Sequence, residues 1–305
     1  MKIENIFKRS LNIKKKDKIL IVTDNNKLKI AKKFLKSLKR LSNNVNLMVK
    51  NVGNYDGEEP SKKVSEEMKK SNIVIAVTTY SLTHTNARRK ASKRGVKVVT
   101  MPGFIERMLP SLKPSPRKML GQGKKIENIL RKTKTVKVVT DHGTDLLFSV
   151  KGRFIDIDAG IFNKPGSFGN MPSGEISTSP VEGTAKGMLI INSMADYAKN
   201  KTVVYIEKGK AVDINDKKCK LAKIFRKVKN STNVAEFGIG LNSKAKIIGN
   251  ILQDEKVLGT CHIAFGNNKS YRGKVYSKVH LDAILFKPTI WFDKKKIMNK
   301  GRLKI

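Results

Sequence analysis

Between Lys18 and Met101 the chain alternates short apolar runs with lysine-rich stretches of helical period, and this limits its fold more than any other feature. The runs are KILIVT (18–23), VNLMV (45–49), IVIAVT (73–78) and VKVVTM (96–101). Asp24, Asn25 and Asn26 after the first run suit a turn and a helix cap. From Lys27 to Leu41, Leu28, Ile30, Ala31, Phe34, Leu35 and Leu38 gather on one side with lysines elsewhere, which predicts an amphipathic helix. Helical patterns recur near 60–70 and 84–94. Strands alternating with such helices indicate a parallel, helix-covered sheet, so the fold class is α/β, beginning with an open parallel-sheet domain. No GxGxxG follows the first strand, and a dinucleotide site is not supported. The segment TTYSLTHT (78–85) follows a strand end, where open α/β sheets bind ligands. His84 and Arg88 could reach a substrate from there, or serve only as cap and surface.

The pattern changes after Lys134. Residues 136–160 alternate apolar and polar side chains, as antiparallel hairpins do. A boundary near residue 130 is therefore expected, with an open α/β domain at 1–130 and an α+β metal-binding catalytic domain, rich in antiparallel strands, at 131–305. The stretch from Phe168 to Gly183 contains no lysine, and its Glu175 and Glu182 suit either a loop that holds a cation or a rigid turn. A hairpin is expected at 202–214 and a basic helix near 217–228. From Ala235 to Asp282 metal-capable residues crowd together: Glu236, Glu255, His262, His280 and Asp282. On a strand, residues i and i+2 share a face, so His280 and Asp282 can aim an imidazole and a carboxylate at one point. His262 interrupts the apolar run CHIAF. Either histidine alone could be a satisfied core residue; together with the acids they form a mixed nitrogen and oxygen set suited to zinc, iron, cobalt or manganese.

Size and charge bound the remaining classes. The 305 residues, 39% of them hydrophobic, are enough for two ordinary domains. The net charge of +39 invites a nucleic-acid reading. Yet the lysines are spread along the chain, aromatics are only 6%, and no zinc-finger, RRM or KH signature accompanies them. Weak, salt-sensitive binding to nucleic acid through charge is the expectation. Cys219 and Cys261 are far apart and not in a CxxC spacing, so neither a disulfide scaffold nor a zinc knuckle is indicated. No apolar signal core or membrane-spanning stretch is evident, and a cytoplasmic location without membrane attachment is expected.

NMPSGEISTSP around Glu175, AEFGIG around Glu236, DEKVLGTCHIAFG around Glu255 and His262, and HLD at 280–282 resemble, in order, the thermophilic metallo-aminopeptidases typified by aminopeptidase T. SLTHT (81–85) and MPG (101–103) resemble the N-terminal half of the same superfamily. The resemblance implies two divalent ions, zinc, cobalt or manganese, on Glu175, Glu236, Glu255, His262, His280 and Asp282. Glu236 would bridge them and Tyr271 would be the catalytic tyrosine. It implies a hydrolase, a protease that removes N-terminal residues from small peptides, often as a homodimer. The interval from Glu255 to His262 is longer than the aminopeptidase pattern, which brings in a rival from the same superfamily. The 2,5-dihydroxypyridine dioxygenase-like proteins use one ferrous ion, here on His262, His280 and Asp282 as a two-histidine, one-carboxylate triad. A non-enzymatic, nucleic-acid-associated relative is the third reading.

Overall fold

The computed structural model describes residues 2–305. They form two compact units, one of residues up to Pro116 together with Asp158–Ser173, the other of Arg117–Ile157 with Gly174–Ile305. The chain thus passes between units three times instead of once near residue 130, because the segment after Ile157 returns to the first unit before the second is complete.

In the first unit the four apolar runs become parallel strands. With a fifth, the sheet order is Asn44–Lys50, Lys18–Asp24, Ile73–Val77, Lys97–Thr100 and Phe168–Asn170. Ile73–Val77 is buried along its whole length, as a central strand covered on both faces must be. The edge strand Phe168–Asn170 comes from the returning segment and was expected to be loop. Leu28–Leu38 is a helix entered through a short 3-10 turn at Asn25–Lys27, and its Ile30, Ala31, Phe34 and Leu38 are buried at helical spacing. Lys62–Lys69 and Asn86–Lys93 are helices capped by the hydroxyls of Ser61 and Thr85, each accepting the N–H three residues on. An N-terminal helix, Ile3–Leu11, packs Phe7 edge-on against Phe34 with ring centroids 5.2 Å apart. Arg88 does not present its charge to a ligand: it is buried in this unit, Nε donates to the Thr83 carbonyl at 2.7 Å, and the guanidinium lies 3.8 Å from the Phe168 ring centroid.

The second unit is a sandwich of two antiparallel sheets. The larger runs in the order Lys210–Ile214, Thr202–Glu207, Lys186–Ile191, Asp145–Ser149, Thr135–Val139, Thr289–Phe292, Lys295–Asn299 and Arg302–Leu303. The smaller runs His280–Phe286, Thr260–Gly266, Val234–Gly240, Glu175–Thr178 and Ile155–Asp158. Alternate side chains fill the space between them, and Phe148 of the larger sheet meets Phe237 of the smaller at 5.3 Å. Strands Thr202–Glu207 and Lys210–Ile214 form the expected hairpin, and Lys220–Lys227 the basic helix. Among the described residues no helix is long and apolar enough to cross a membrane.

Candidate metal centre

The smaller sheet separates its side chains by face. Phe237 and Ile239, then Cys261, Ile263 and Phe265, then Leu281, Ala283 and Leu285 point into the sandwich core. The residues between them, Glu236 and Gly238, His262 and Ala264, His280 and Asp282, occupy the other face. Register brings them together: Ala264 lies between Glu236 and Asp282, and Gly238 lies beside His262. A β-bulge between Val234 and Glu236 sets the phase. Strict alternation would put both on one face; the extra residue, Ala235, lets Val234 enter the core while Glu236 faces the histidines. Gly238 has no side chain because the His262 ring occupies the space. A Cβ there would lie 2.1 Å from the ring's Cε1 and 2.2 Å from Nε2.

The two imidazoles converge on one carboxylate. His262 Nε2 is 3.3 Å from Glu236 Oε1, and His280 Nε2 is 2.7 Å from Glu236 Oε2. Asp282 Oδ1 is 3.5 Å from His280 Nε2. Glu236, His280 and Asp282 each offer a donor atom within 4.8 Å of the others. His280 Nδ1 donates to the Asn267 carbonyl at 2.7 Å, which settles the tautomer and leaves Nε2 as the nitrogen available to a cation, the usual support of a metal-binding histidine. The Tyr271 hydroxyl donates to Glu236 Oε1 at 2.7 Å and accepts from Ser177 Oγ at 3.2 Å. Burial pulls the Glu236 carboxyl upward, but its hydrogen bonds to the two imidazoles hold it well below the usual range. Burial pulls both imidazoles downward; the carboxylates prevail, raising His262 to about 9 and His280 well above its ordinary value. Burial, then the charges of Glu236 and Glu175, keeps the Tyr271 phenol protonated. An excess of buried negative charge around two imidazoles with convergent Nε2 atoms fits a divalent cation, and the donor types suit a borderline ion such as ferrous iron.

Glu175 and Glu255 do not join that cluster of three. They meet on a buried lysine absent from every sequence expectation: Lys256 Nζ is 2.5 Å from Glu175 Oε1 and 2.7 Å from Glu255 Oε1. Burial pulls the Glu255 carboxyl upward, and the adjacent Lys256 ammonium opposes that pull. Asp156, on the outermost strand of the sheet and still open to solvent, was also missed; partial desolvation by surrounding protein and the charges of Glu175 and Glu236 raise its carboxyl. Its IDID context carried a signal, since an acid in an alternating strand of the same domain merited inclusion, whereas nothing marked Lys256 among so many lysines. Glu182 holds a cation, though a guanidinium: it pairs with Arg153 at 2.9 Å and accepts from Asn268 Nδ2 and the Lys274 N–H, fixing the loop that carries Tyr271. Cys261 is buried in the core, where its thiol is inert.

The fold and the buried histidine and carboxylate cluster define a two-unit α/β protein with a candidate metal centre on one face of an antiparallel sheet. Residues 3–305 match the family model NicX: 2,5-dihydroxypyridine 5,6-dioxygenase, and the chain belongs to that family. The 2,5-dihydroxypyridine 5,6-dioxygenase of Pseudomonas putida is 24% identical over 250 residues, 74% of this chain and 70% of that protein. Two solved structures share the fold. The 2,5-dihydroxypyridine dioxygenase of Pseudomonas putida superposes with a TM-score of 0.81 at 18% identity, covering 98% of this chain and 95% of that one. Wild-type AmpT of Thermus thermophilus does so with a TM-score of 0.73 at 13% identity, covering 99% and 98%. The resemblance to the superfamily was therefore sound, but the aminopeptidase reading within it is overturned by the family match. With it go the hydrolase and protease chemistry. Two of the acids assigned to a two-ion set, Glu175 and Glu255, are held in this chain by Lys256.

Proposed function

We propose that the protein is a ferrous-iron ring-opening dioxygenase acting on a 2,5-dihydroxypyridine or a closely related hydroxylated pyridine. The observation that carries the reading is the convergence of the His262 and His280 Nε2 atoms on Glu236, with Asp282 beside His280 and His280 Nδ1 fixed by a backbone carbonyl, in a chain of this family. His262, His280 and Asp282 would hold the ion. Glu236 stands alongside as a second carboxylate, one of its oxygens already fixed by Tyr271. Held by these two imidazoles and one carboxylate, ferrous iron would supply the electron-transfer chemistry that reaction with dioxygen requires. The chain's own role is orientation and charge. Ser177 donates to Tyr271 and Tyr271 to Glu236, so the Glu236 carboxylate has one defined direction and remains ionised beside the imidazoles. It is the hydrogen-bond acceptor we assign to a ring hydroxyl. Tyr271 is thereby the residue that keeps this acceptor in place.

The test is oxygen uptake and loss of the pyridine absorbance by iron-loaded protein given 2,5-dihydroxypyridine. One dioxygen consumed per ring opened is expected, with no reaction in nitrogen-purged buffer. Turnover undiminished without oxygen, or no uptake by protein carrying stoichiometric iron, would sink the assignment.

A further inference from the structure

A lysine only 2% exposed needs compensating negative charge, and Lys256 has two carboxylates, Glu175 and Glu255, on its ammonium. The reverse also holds: these two buried acids would repel one another without a cation between them. Glu175 continues toward the metal centre. Its Oε2 accepts no hydrogen bond and faces His262 Nε2 at 3.7 Å. The lysine is also held by its own backbone. Its carbonyl accepts from the Asn242 N–H at 2.8 Å, and its N–H donates to the Gln253 carbonyl at 3.0 Å. Gly240 allows this approach, since a Cβ there would lie 2.0 Å from the Val257 oxygen and 2.8 Å from the Lys256 carbonyl carbon. Two convergent carboxylates beside a histidine are a donor set for a divalent ion. Here a fixed ammonium stands among them.

We propose that Lys256 is a built-in cation filling the place between Glu175 and Glu255 that a second divalent ion would otherwise take, so that the protein binds a single metal ion on a scaffold with acids enough for two. Lys256 is thus a positioning residue that sets metal stoichiometry. The inference rests on the metal centre proposed above.

The measurement is ions per chain, by native mass spectrometry and elemental analysis, after chelator stripping and dialysis against Mn(II). Wild type and Lys256→Arg should take one ion, Lys256→Met two, and the double variant Lys256→Met with Glu255→Gln one again. A second ion bound by wild type, or Lys256→Met remaining at one, would overturn the proposal while leaving the metal centre standing. No ion in wild type would instead remove the centre itself, and the proposal with it. Lys256→Met that folds only in the presence of Mn(II) and then holds two ions supports the same conclusion. Failure to fold even with Mn(II) would show that a divalent ion cannot replace the ammonium, and would overturn it.

Discussion

Gly238 shows how an ordinary strand residue can be obligatory at a site. Its backbone is not in the left-handed region; what excludes a side chain is the His262 ring, 2.1 Å from where Cβ would stand. Gly238→Ala must push the imidazole aside or force its strand away from the neighbouring one, and such crowding typically costs about 1–3 kcal/mol. The expected result is metal affinity weakened by roughly 10–100-fold, as for other losses of ligand support, with a lowered melting temperature. A Mn(II) titration followed by thermal melting checks both, and unchanged affinity would mean that His262 is not a ligand. At this scale the sequence was partly legible. His280 and Asp282 could be paired by strand spacing alone, and their donor atoms do meet in the cluster with Glu236. Glu236 drew attention through the crowding of metal-capable residues and not through alternation, because the bulge at Ala235 resets the phase by one residue. Lys256 was illegible, since charge compensation depends on which acids lie across the fold.

At the scale of elements, the loop from Asn268 to Lys274 is shaped by a carboxylate nearly ninety positions earlier. Glu182 accepts from Asn268 Nδ2 and the Lys274 N–H and pairs with Arg153. Burial works to raise its carboxyl, but these donors prevail and hold it at about 2. A carboxyl lowered on folding stabilises the native state above its unfolded value near 4.5, and that stability is lost as pH falls toward 2. The displacement corresponds to roughly 3 kcal/mol. Glu182→Gln should therefore lower the melting temperature at pH 7, and the two proteins should converge as pH drops from about 4.5 to about 2. Parallel melting curves across that range would show that Glu182 does not stabilise the fold through its charge. The repeating strands and helices of the first unit were readable because each carries a local period. The strand Phe168–Asn170 was not, because three residues joining a distant sheet edge have no period to read. The hairpin alternation of 136–160 was readable as strands, but not the choice by which Ile155–Asp158 leaves its neighbours for the other sheet and brings Asp156 to the site face.

For the whole molecule, charge is the dominant remaining term. Lys and Arg number 64 against 25 Asp and Glu, so pairing every acid would still leave a large positive excess. Glu175, Glu236, Glu255 and Asp282 are spent inside the second unit, which makes the imbalance outside it greater still. Pairs such as Lys33 with Glu106 are half exposed and contribute little each. Self-repulsion at this density destabilises a compact state and is screened over about 10 Å at 0.1 M salt and about 3 Å at 1 M. The melting temperature should therefore rise when KCl increases from about 0.05 M to about 0.5 M, most steeply at the low end where the screening length changes most. Thermal melting in a KCl series at fixed pH measures this directly. A melting temperature that is flat or falling with salt would show that the lysines lie far enough apart in water for their repulsion to be negligible, and that the core alone sets the stability.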